Sequence, residues 1–341
     1  MERDKAHTSL KDDFRKIAPA WGIVIVTLTI SILLLSFFNL NIINYIQYPP
    51  NNPVLMSRAL YEEGMKYYRN ILDKAQKIRA EGRSPELKGD PDLVHARELF
   101  LKSLDLFEGE KNVYQRLATL AELEGDIPGT YYYQGRVLIN AGQLDEALVK
   151  FDNALELNPN YANVMAAKAW ALLLNERLEE AEQVVTRLLE VAPEVAEGHF
   201  LAGRLALERR DSAAALDELG KAVDLTPGYL EAALLYSQVL DAQQRSDEAI
   251  SVLKRAEPVN PNNARLKHRI ARILASQGKL EESFKYLLRA EKLEKNSDSL
   301  YLDLARVAHQ LGKERRATIY LSRALDLNPS LKEKTLTIDL P

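Results

Sequence analysis

Apolar residues follow two different patterns along this chain. Residues 20–40 are mostly apolar and carry no charge, whereas beyond residue 54 the apolar residues recur three and four positions apart among charged ones. The second spacing is typical of helices that bury one face. The stretch AGQLDEALVKFDNALELNPN, residues 141–160, is one such segment, and it predicts a helix that has Asp145 as its N-cap and ends before Pro159.

The helical pattern recurs with a period of 34 residues. Stepping from Pro159 gives a proline in four of the next five copies, and Lys295 is the exception. Small residues keep the same phase: the series from Ala147 is Ala181, Ala215, Ala249, Ser283 and Ala317, and the series from Ala154 is Leu188, Ala222, Ala256, Ala290 and Ala324. We therefore define six repeats over residues 128–331, with position 1 at residue 128 and at every 34th residue after it.

A 34-residue period with these small residues and this proline resembles the tetratricopeptide repeat, a helix–turn–helix unit. In that family, small residues at positions 8, 20 and 27 allow the first helix of a unit, helix A, to approach the second, helix B. The residues that we assign to this packing are Gly135, Ala147, Ala154, Ala181, Gly203, Ala215, Ala249 and Ala317. The resemblance implies an all-α fold, a right-handed solenoid of helix–turn–helix repeats.

The chain before the six repeats, residues 54–127, predicts a degenerate helical unit. Gly64 takes position 8 of this unit, and Ala96, Phe100 and Ser103 take positions 20, 24 and 27. Gly64 and Ala96 are 32 residues apart where the repeat needs 12, so the unit carries an insert that includes a turn-rich loop near residues 81–91.

Two further segments flank the regular array. Residues 111–125 predict one more helix, whose packing partner the sequence does not identify. Residues 332–341 form a C-terminal tail, which is either frayed or able to pair as a strand with another chain.

Residues 19–47 predict a membrane anchor. The apolar run 20–40 can cross the roughly 30 Å core of a bilayer as one helix, and no charge occurs between Lys16 and Arg58. A cleaved signal peptide would have a shorter run and a small-x-small site, which this sequence lacks. Five lysines and arginines precede the run and two follow it closely. We therefore expect a cytoplasmic tail at residues 1–18 and periplasmic repeats on a bacterial inner-membrane protein.

Composition and motifs predict a protein that is not an enzyme. The formal charge of −4 argues against nucleic-acid binding, which needs a basic surface, and the absence of cysteine excludes thiolate chemistry. The five histidines have no metal-ligand spacing, and no phosphate-binding or hydrolase motif is present in the sequence. We expect no catalytic residue, no metal and no cofactor.

By the family resemblance, positions 2, 5, 9, 12 and 13 of helix A line the concave groove of the solenoid. Arginine suits carboxylates and aromatic rings supply rigid contact area, so the expected partners are proteins or peptide segments with acidic and apolar residues. In an alternative interpretation, the arginines pair with neighbouring acids such as Glu208, Asp241 and Asp303. The residues expected to line the groove are Tyr132, Arg136, Trp170, Phe200, Arg204, Gln238, Arg265, His268, Arg272, Arg306 and His309.

One function of the family is not expected. Its co-chaperones hold a carboxylate with lysine at position 5 and asparagine at position 9, and no repeat of this chain has either residue there. The sequence instead predicts a membrane-anchored scaffold for protein–protein interactions. The resemblance implies assembly of an envelope complex, in pilus or secretion machinery, polysaccharide export or cytochrome maturation. A permanent structural subunit of a large membrane complex and a peptide-binding regulatory sensor are the alternatives.

Overall fold

A computed structural model describes residues 53–106 and 112–331, which contain 15 α-helices and no strand. The described residues divide into two units, 53–74 with 91–106 and 75–90 with 112–331. The expected anchor, the cytoplasmic tail and the C-terminal tail lie outside the described residues. Among the helices that the structure describes, none combines the length and the apolar character needed to cross a membrane.

The helices follow one another with short connections. In chain order they are α1 Pro53–Ala80, α2 Pro91–Leu106, α3 Val113–Glu124, α4 Ile127–Asn140, α5 Leu144–Leu157, α6 Ala162–Leu174, α7 Leu178–Val191, α8 Ala196–Glu208, α9 Ser212–Leu225, α10 Leu230–Ala242, α11 Ser246–Ala256, α12 Ala264–Ser276, α13 Leu280–Leu293, α14 Asp298–Gln310 and α15 Glu314–Leu327.

The first unit is a pair of antiparallel helices, formed by α2 and the part of α1 up to Lys74. Ser57 and Ser103 are fully buried, and the hydroxyl of each donates to the backbone carbonyl of the other. A Cβ atom on Gly64 would lie 2.8 Å from the Phe100 ring, so these two residues meet where positions 8 and 24 of a repeat would meet. The close approach of the two helices depends on these small side chains.

The second unit is a linear array of helices. Six A–B pairs run from α4 and α5 to α14 and α15, so the even-numbered helices from α4 are A helices and the odd-numbered helices from α5 are B helices. Each helix contacts its own partner and the helices of adjacent repeats. Helix α3 packs against α4, which gives the extra helix the partner that the sequence did not identify.

Small residues lie at the centre of the helix pairs. The alanines at position 20 in repeats 1 to 4, namely Ala147, Ala181, Ala215 and Ala249, are all 0% exposed. Gly135 of α4 is also buried, and a Cβ atom there would lie 2.7 Å from Cζ of Phe151 on α5. Helix A and helix B therefore approach closely, because at each of these points one of the two helices contributes no more than a methyl group or a hydrogen atom.

The N-cap prediction for α5 is wrong by two residues. Gln143 is the N-cap, and Asp145 lies in the first turn together with Glu146. Gly142 lies just before the cap and has φ +76°. Its left-handed backbone turns the chain at this point, so α5 begins two residues earlier than the prediction from the acidic pair. The two acids instead interact with the positive end of the helix dipole.

Candidate binding face

The predicted binding residues lie on the A helices. We call the surface formed by positions 2, 5, 9, 12 and 13 of these helices, with position 34 just before them, the A-helix face. Its side chains form two groups that differ in chemistry, an aromatic group in repeats 1 to 3 and an ionic group in repeats 5 and 6. Exposed Gln238 lies in repeat 4, between the two groups.

A chain of ring contacts crosses repeats 2 and 3. The rings of Trp170 on α6 and Phe200 on α8 stack with centroids 6.2 Å apart, and the Tyr229 ring lies 5.2 Å beyond Phe200. The Arg204 guanidinium lies over the Trp170 ring, 4.5 Å from its centroid. We call these four residues the Trp170 cluster. No carboxylate of the described residues lies within ion-pair distance of Arg204.

Tyr132 and Arg136 on α4 extend the aromatic group toward the start of the array. The Tyr132 and Tyr161 rings are 6.0 Å apart, and Arg136 donates to the Tyr114 hydroxyl of α3 at 2.6 Å. Burial, followed by the nearby Asp126 charge, raises the pKa of Tyr161.

The ionic group is built around Asp303 on α14. His268 Nε2 lies 2.8 Å from one carboxylate oxygen, and Arg272 and Arg306 lie 3.6 and 3.5 Å from the same carboxylate. We call these four residues the Asp303 cluster. The alternative interpretation of the arginines thus holds for Arg272 and Arg306. One carboxylate cannot neutralise two arginines, however, and the Arg272 side chain is 60% exposed.

A small cleft of about 240 Å³ opens beside the Asp303 cluster. Arg272, Asp303, Arg306 and Gln310 supply its polar wall, and the apolar part includes Val307. The arrangement suits an acidic group that has apolar neighbours.

The remaining predicted residues do not join either cluster. Arg265 is exposed at position 2 of repeat 5, and His309 Nδ1 lies 2.9 Å from Glu314 of α15. Asp241, expected as a partner for a groove arginine, instead pairs with Arg269 at 3.1 Å. Arg265 and His309 therefore add polar side chains to the A-helix face, but neither contacts the Trp170 cluster or the Asp303 cluster.

Three tyrosines that belong to the face or contact it are absent from the sequence-based prediction. Tyr161 and Tyr229 both occupy position 34, the residue before an A helix, and they are two periods apart. That spacing was a usable signal, because position 34 precedes the groove-lining helix directly. Tyr114 lies on α3, outside the repeat register, and no period could have indicated it.

Comparison with known proteins identifies the repeat. Family models described as tetratricopeptide repeat match residues 138–205, 206–273, 264–297 and 298–331, which together exceed half of the chain. An uncharacterized protein of Methanocaldococcus jannaschii is 41% identical over 61 residues, which are 18% of this chain and 71% of that protein.

Two solved structures share the arrangement of helices. PilF of Pseudomonas aeruginosa matches with a TM-score of 0.55 at 18% identity, over 60% of this chain and 93% of PilF. PilW, described as a widely conserved type IV pilus biogenesis factor, matches with a TM-score of 0.54 at 18% identity, over 62% of this chain and 98% of PilW. At such identities the likeness concerns the fold alone.

Proposed function

Because this chain belongs to the tetratricopeptide repeat family, we propose that it is a membrane-anchored scaffold whose A-helix face captures a segment of a partner protein. Solenoids of this kind present extended surfaces that bind other chains. The single observation that carries the proposal is the Trp170 cluster, in which a half-buried indole lies under an arginine without a carboxylate partner and stacks on a buried phenyl ring, with a tyrosine ring beyond it.

The chemistry of the face favours a particular kind of segment. Aromatic side chains and arginine are the residues that most often dominate the energy of protein interfaces. The Trp170 cluster suits an apolar or aromatic anchor, and the Asp303 cluster, with its excess of positive charge, suits an acidic side chain. The proposed ligand is therefore a segment that carries apolar anchors for repeats 1 to 3 and an acid for repeats 5 and 6.

Charge reversal on the face tests this proposal. A displayed library of short peptides is selected on the immobilised protein, and the expected enrichment combines aromatic or aliphatic residues with aspartate or glutamate. The variant Arg204→Glu/Arg272→Glu should bind the selected peptides at least tenfold more weakly, because a hydrogen bond to a charged group contributes about 1.5–3 kcal/mol. The control Arg187→Glu/Lys254→Glu changes the net charge equally on exposed B-helix positions and should bind like the wild type.

A substitution of Asp303 gives a second test, because the proposal predicts that it strengthens peptide binding rather than weakening it. If the Asp303 cluster receives an acid, Asp303 competes with that acid for Arg272 and Arg306. Asp303→Asn should therefore strengthen binding of the acidic peptides, whereas Asp224→Asn on α9 should have no effect. Weaker binding by Asp303→Asn, or equal binding by Arg204→Glu/Arg272→Glu and the wild type, would contradict the proposed role of the face.

We place the scaffold in a bacterial envelope, with the repeats in the periplasm. The uncharged apolar run at residues 20–40 and the five-to-two bias of flanking basic residues support this topology. The names of PilF and PilW are compatible with pilus assembly as the process. A reporter that is active only outside the cytoplasm, fused after Pro341, should be active in cells. Activity of a cytoplasm-specific reporter at the same place would reverse the topology.

A further inference from the structure

The charge of the repeat array is divided between its two ends. Repeats 1 to 4, residues 128–263, contain 12 lysines and arginines against 21 aspartates and glutamates, a formal charge of −9. Repeats 5 and 6, residues 264–331, contain 14 lysines and arginines against 8 aspartates and glutamates, a formal charge of +6. The net charge of the whole chain conceals this asymmetry.

The positive charge of repeat 5 forms a stripe on helix B. Lys285, Arg289 and Lys292 follow one another at spacings of four and three along α13, so they share one helix face. All three are exposed, and none lies within ion-pair distance of a carboxylate in the described part of the chain. We call these three residues the α13 stripe.

The α13 stripe departs from the pattern of the earlier repeats. The equivalent of Arg289 in repeats 2 and 4 pairs with an acid at position 29: Arg187 with Glu190 at 3.2 Å, and Arg255 with Asp224 of the preceding repeat at 3.1 Å. In repeat 5, position 29 is Lys292. Compared with repeat 2, a local ion pair is thus replaced by two like charges; the Arg289 guanidinium lies 5.2 Å from the centroid of the Tyr286 ring, and no cation of the stripe has a carboxylate partner among the described residues.

Repeat 6 shows a second departure. Repeats 1, 2, 4 and 5 have acidic pairs at positions 18 and 19, in the first turn of helix B, where the helix dipole favours acids. Repeat 6 has Arg315 and Arg316 at these positions. The Arg316 guanidinium lies 5.9 Å from the centroid of the Phe284 ring on α13, so the arginines border the same helix as the α13 stripe.

The acidic end of the array offers the complementary surface. Glu176 and Glu179, at the turn into α7 and in its first turn, are exposed, and no lysine or arginine among the described residues lies within ion-pair distance of them. Glu146, in the first turn of α5, also has no cation at that distance within the described ranges. We call these three residues the α7 acidic edge.

We propose that the outer faces of two copies of this chain associate head to tail, with the α13 stripe of one copy against the α7 acidic edge of the next. The two surfaces lie on different repeats, so the contact is heterologous and can continue from copy to copy. The partner is a second copy because the chain itself carries both the excess cations and the excess acids. This surface is separate from the A-helix face and leaves it open to a ligand.

Sedimentation of the full chain in detergent tests the proposal directly. At about 0.05 M salt the weight-average mass should rise with protein concentration, and at about 1 M salt, where charges are screened beyond roughly 3 Å, it should return to that of the monomer. Lys285→Glu/Lys292→Glu and Glu176→Lys/Glu179→Lys should each remain monomeric at low salt. The control Arg187→Glu/Lys254→Glu changes the net charge as much as Lys285→Glu/Lys292→Glu does but removes no cation of the stripe and adds acid at the acidic end, so it should associate at least as well as the wild type.

A mixture of the two monomeric variants gives the decisive result. Each variant presents two surfaces of the same sign, so equal amounts of both should associate again with alternating copies. A wild type that is monomeric at low salt, or a mixture that stays monomeric, would overturn the proposal. If the monomeric wild type binds vesicles of anionic lipid better than Lys285→Glu/Lys292→Glu does, the stripe contacts headgroups and the proposal is wrong.

Discussion

At the residue scale, the side chains at positions 8 and 24 decide how closely two helices pair. Phenylalanine occurs at position 24 only in repeat 1 and in the degenerate unit, as Phe151 and Phe100, and in both cases it faces a glycine. Leucine at position 24, as at Leu287, tolerates an alanine, Ala271, at position 8. The Phe151 and Phe100 rings occupy the space that a missing Cβ atom leaves, as Leu219 does against Gly203 in repeat 3.

Gly135→Ala should therefore destabilise the protein, although alanine is the better helix former. The new methyl group would lie within 2.7 Å of a Phe151 ring that is 0% exposed and cannot move aside. Overpacking of this kind costs about 1–3 kcal/mol. The double variant Gly135→Ala/Phe151→Leu reproduces the combination in repeat 5, so it should lose less than the sum of the two single variants in urea unfolding.

Gly220→Ala on α9 is the matched control. Its nearest foreign atom is the Tyr236 hydroxyl oxygen at 3.3 Å, at the end of a half-buried side chain that can shift. Alanine there should stabilise the helix by up to about 1 kcal/mol. Equal effects of the two substitutions would mean that the Phe151 contact does not limit the helix spacing.

Residue-level prediction from the sequence succeeded where the period was informative. The register assigned Gly64 to position 8 and Phe100 to position 24 even in a unit that departs from the 34-residue spacing, and the two residues meet in the structure. The contact of Tyr114 with Arg136 and the approach of His268 to Asp303 were not predicted, because each joins side chains of different helices. A one-dimensional pattern does not specify which rotamers meet in space.

At the element scale, the turn from helix A to helix B requires one residue in the left-handed region. Position 15 has φ between +57° and +76° in all six repeats. Glycine accepts this conformation without strain, whereas other residues lose roughly 1–2 kcal/mol. Three repeats have glycine there and three do not; the residues are Gly142, Glu176, Arg210, Gln244, Gly278 and Gly312.

Replacing a glycine at position 15 should lower the free energy of unfolding, whereas introducing a glycine there should not lower it. Gly278→Ala should destabilise by about 1 kcal/mol, because it introduces the left-handed strain. Gln244→Gly removes that strain but adds flexibility to the unfolded chain, so it should be neutral or stabilising by up to about 1 kcal/mol. Thermal unfolding of both variants measures the signs. A destabilising Gln244→Gly would show that contacts of its side chain outweigh the backbone strain.

The lengths of the elements were predicted less well than their positions. The register indicated that every B helix ends just before position 32, but α11 ends at Ala256, several residues before Pro261. Pro258 follows closely, and it has no N–H to donate to the carbonyl of Lys254, so the helical hydrogen bonds stop there although Glu257 keeps helical backbone angles. This proline was visible in the sequence, and it could have predicted the shorter helix. The continuation of α1 to Ala80 had no comparable signal.

At the scale of the whole molecule, the second unit is a one-dimensional array. Its helices pack against helices of their own and of adjacent repeats. The free energy of unfolding should therefore be a sum of one contribution from each repeat and one from each interface between repeats. The sequence predicted this organisation because the same 34-residue spacing recurs six times. A single compact core would not require such a regular spacing. It could not predict how the charge divides between exposed and paired side chains, since ion pairs such as Arg255 with Asp224 form between repeats.

A defect in the middle of such an array should remain local. Ala249 is fully buried in α11, and Ala249→Leu should weaken repeat 4 by roughly 1–3 kcal/mol through overpacking. Hydrogen exchange should then accelerate in α10 to α12 and remain unchanged in α4 to α7, because no contact links those helices to α11. Ala317→Leu in the last repeat should accelerate exchange in α14 and α15 alone. If Ala249→Leu accelerated exchange equally across residues 128–331, the six repeats would unfold as one cooperative unit, and independent interface terms could not describe their stability.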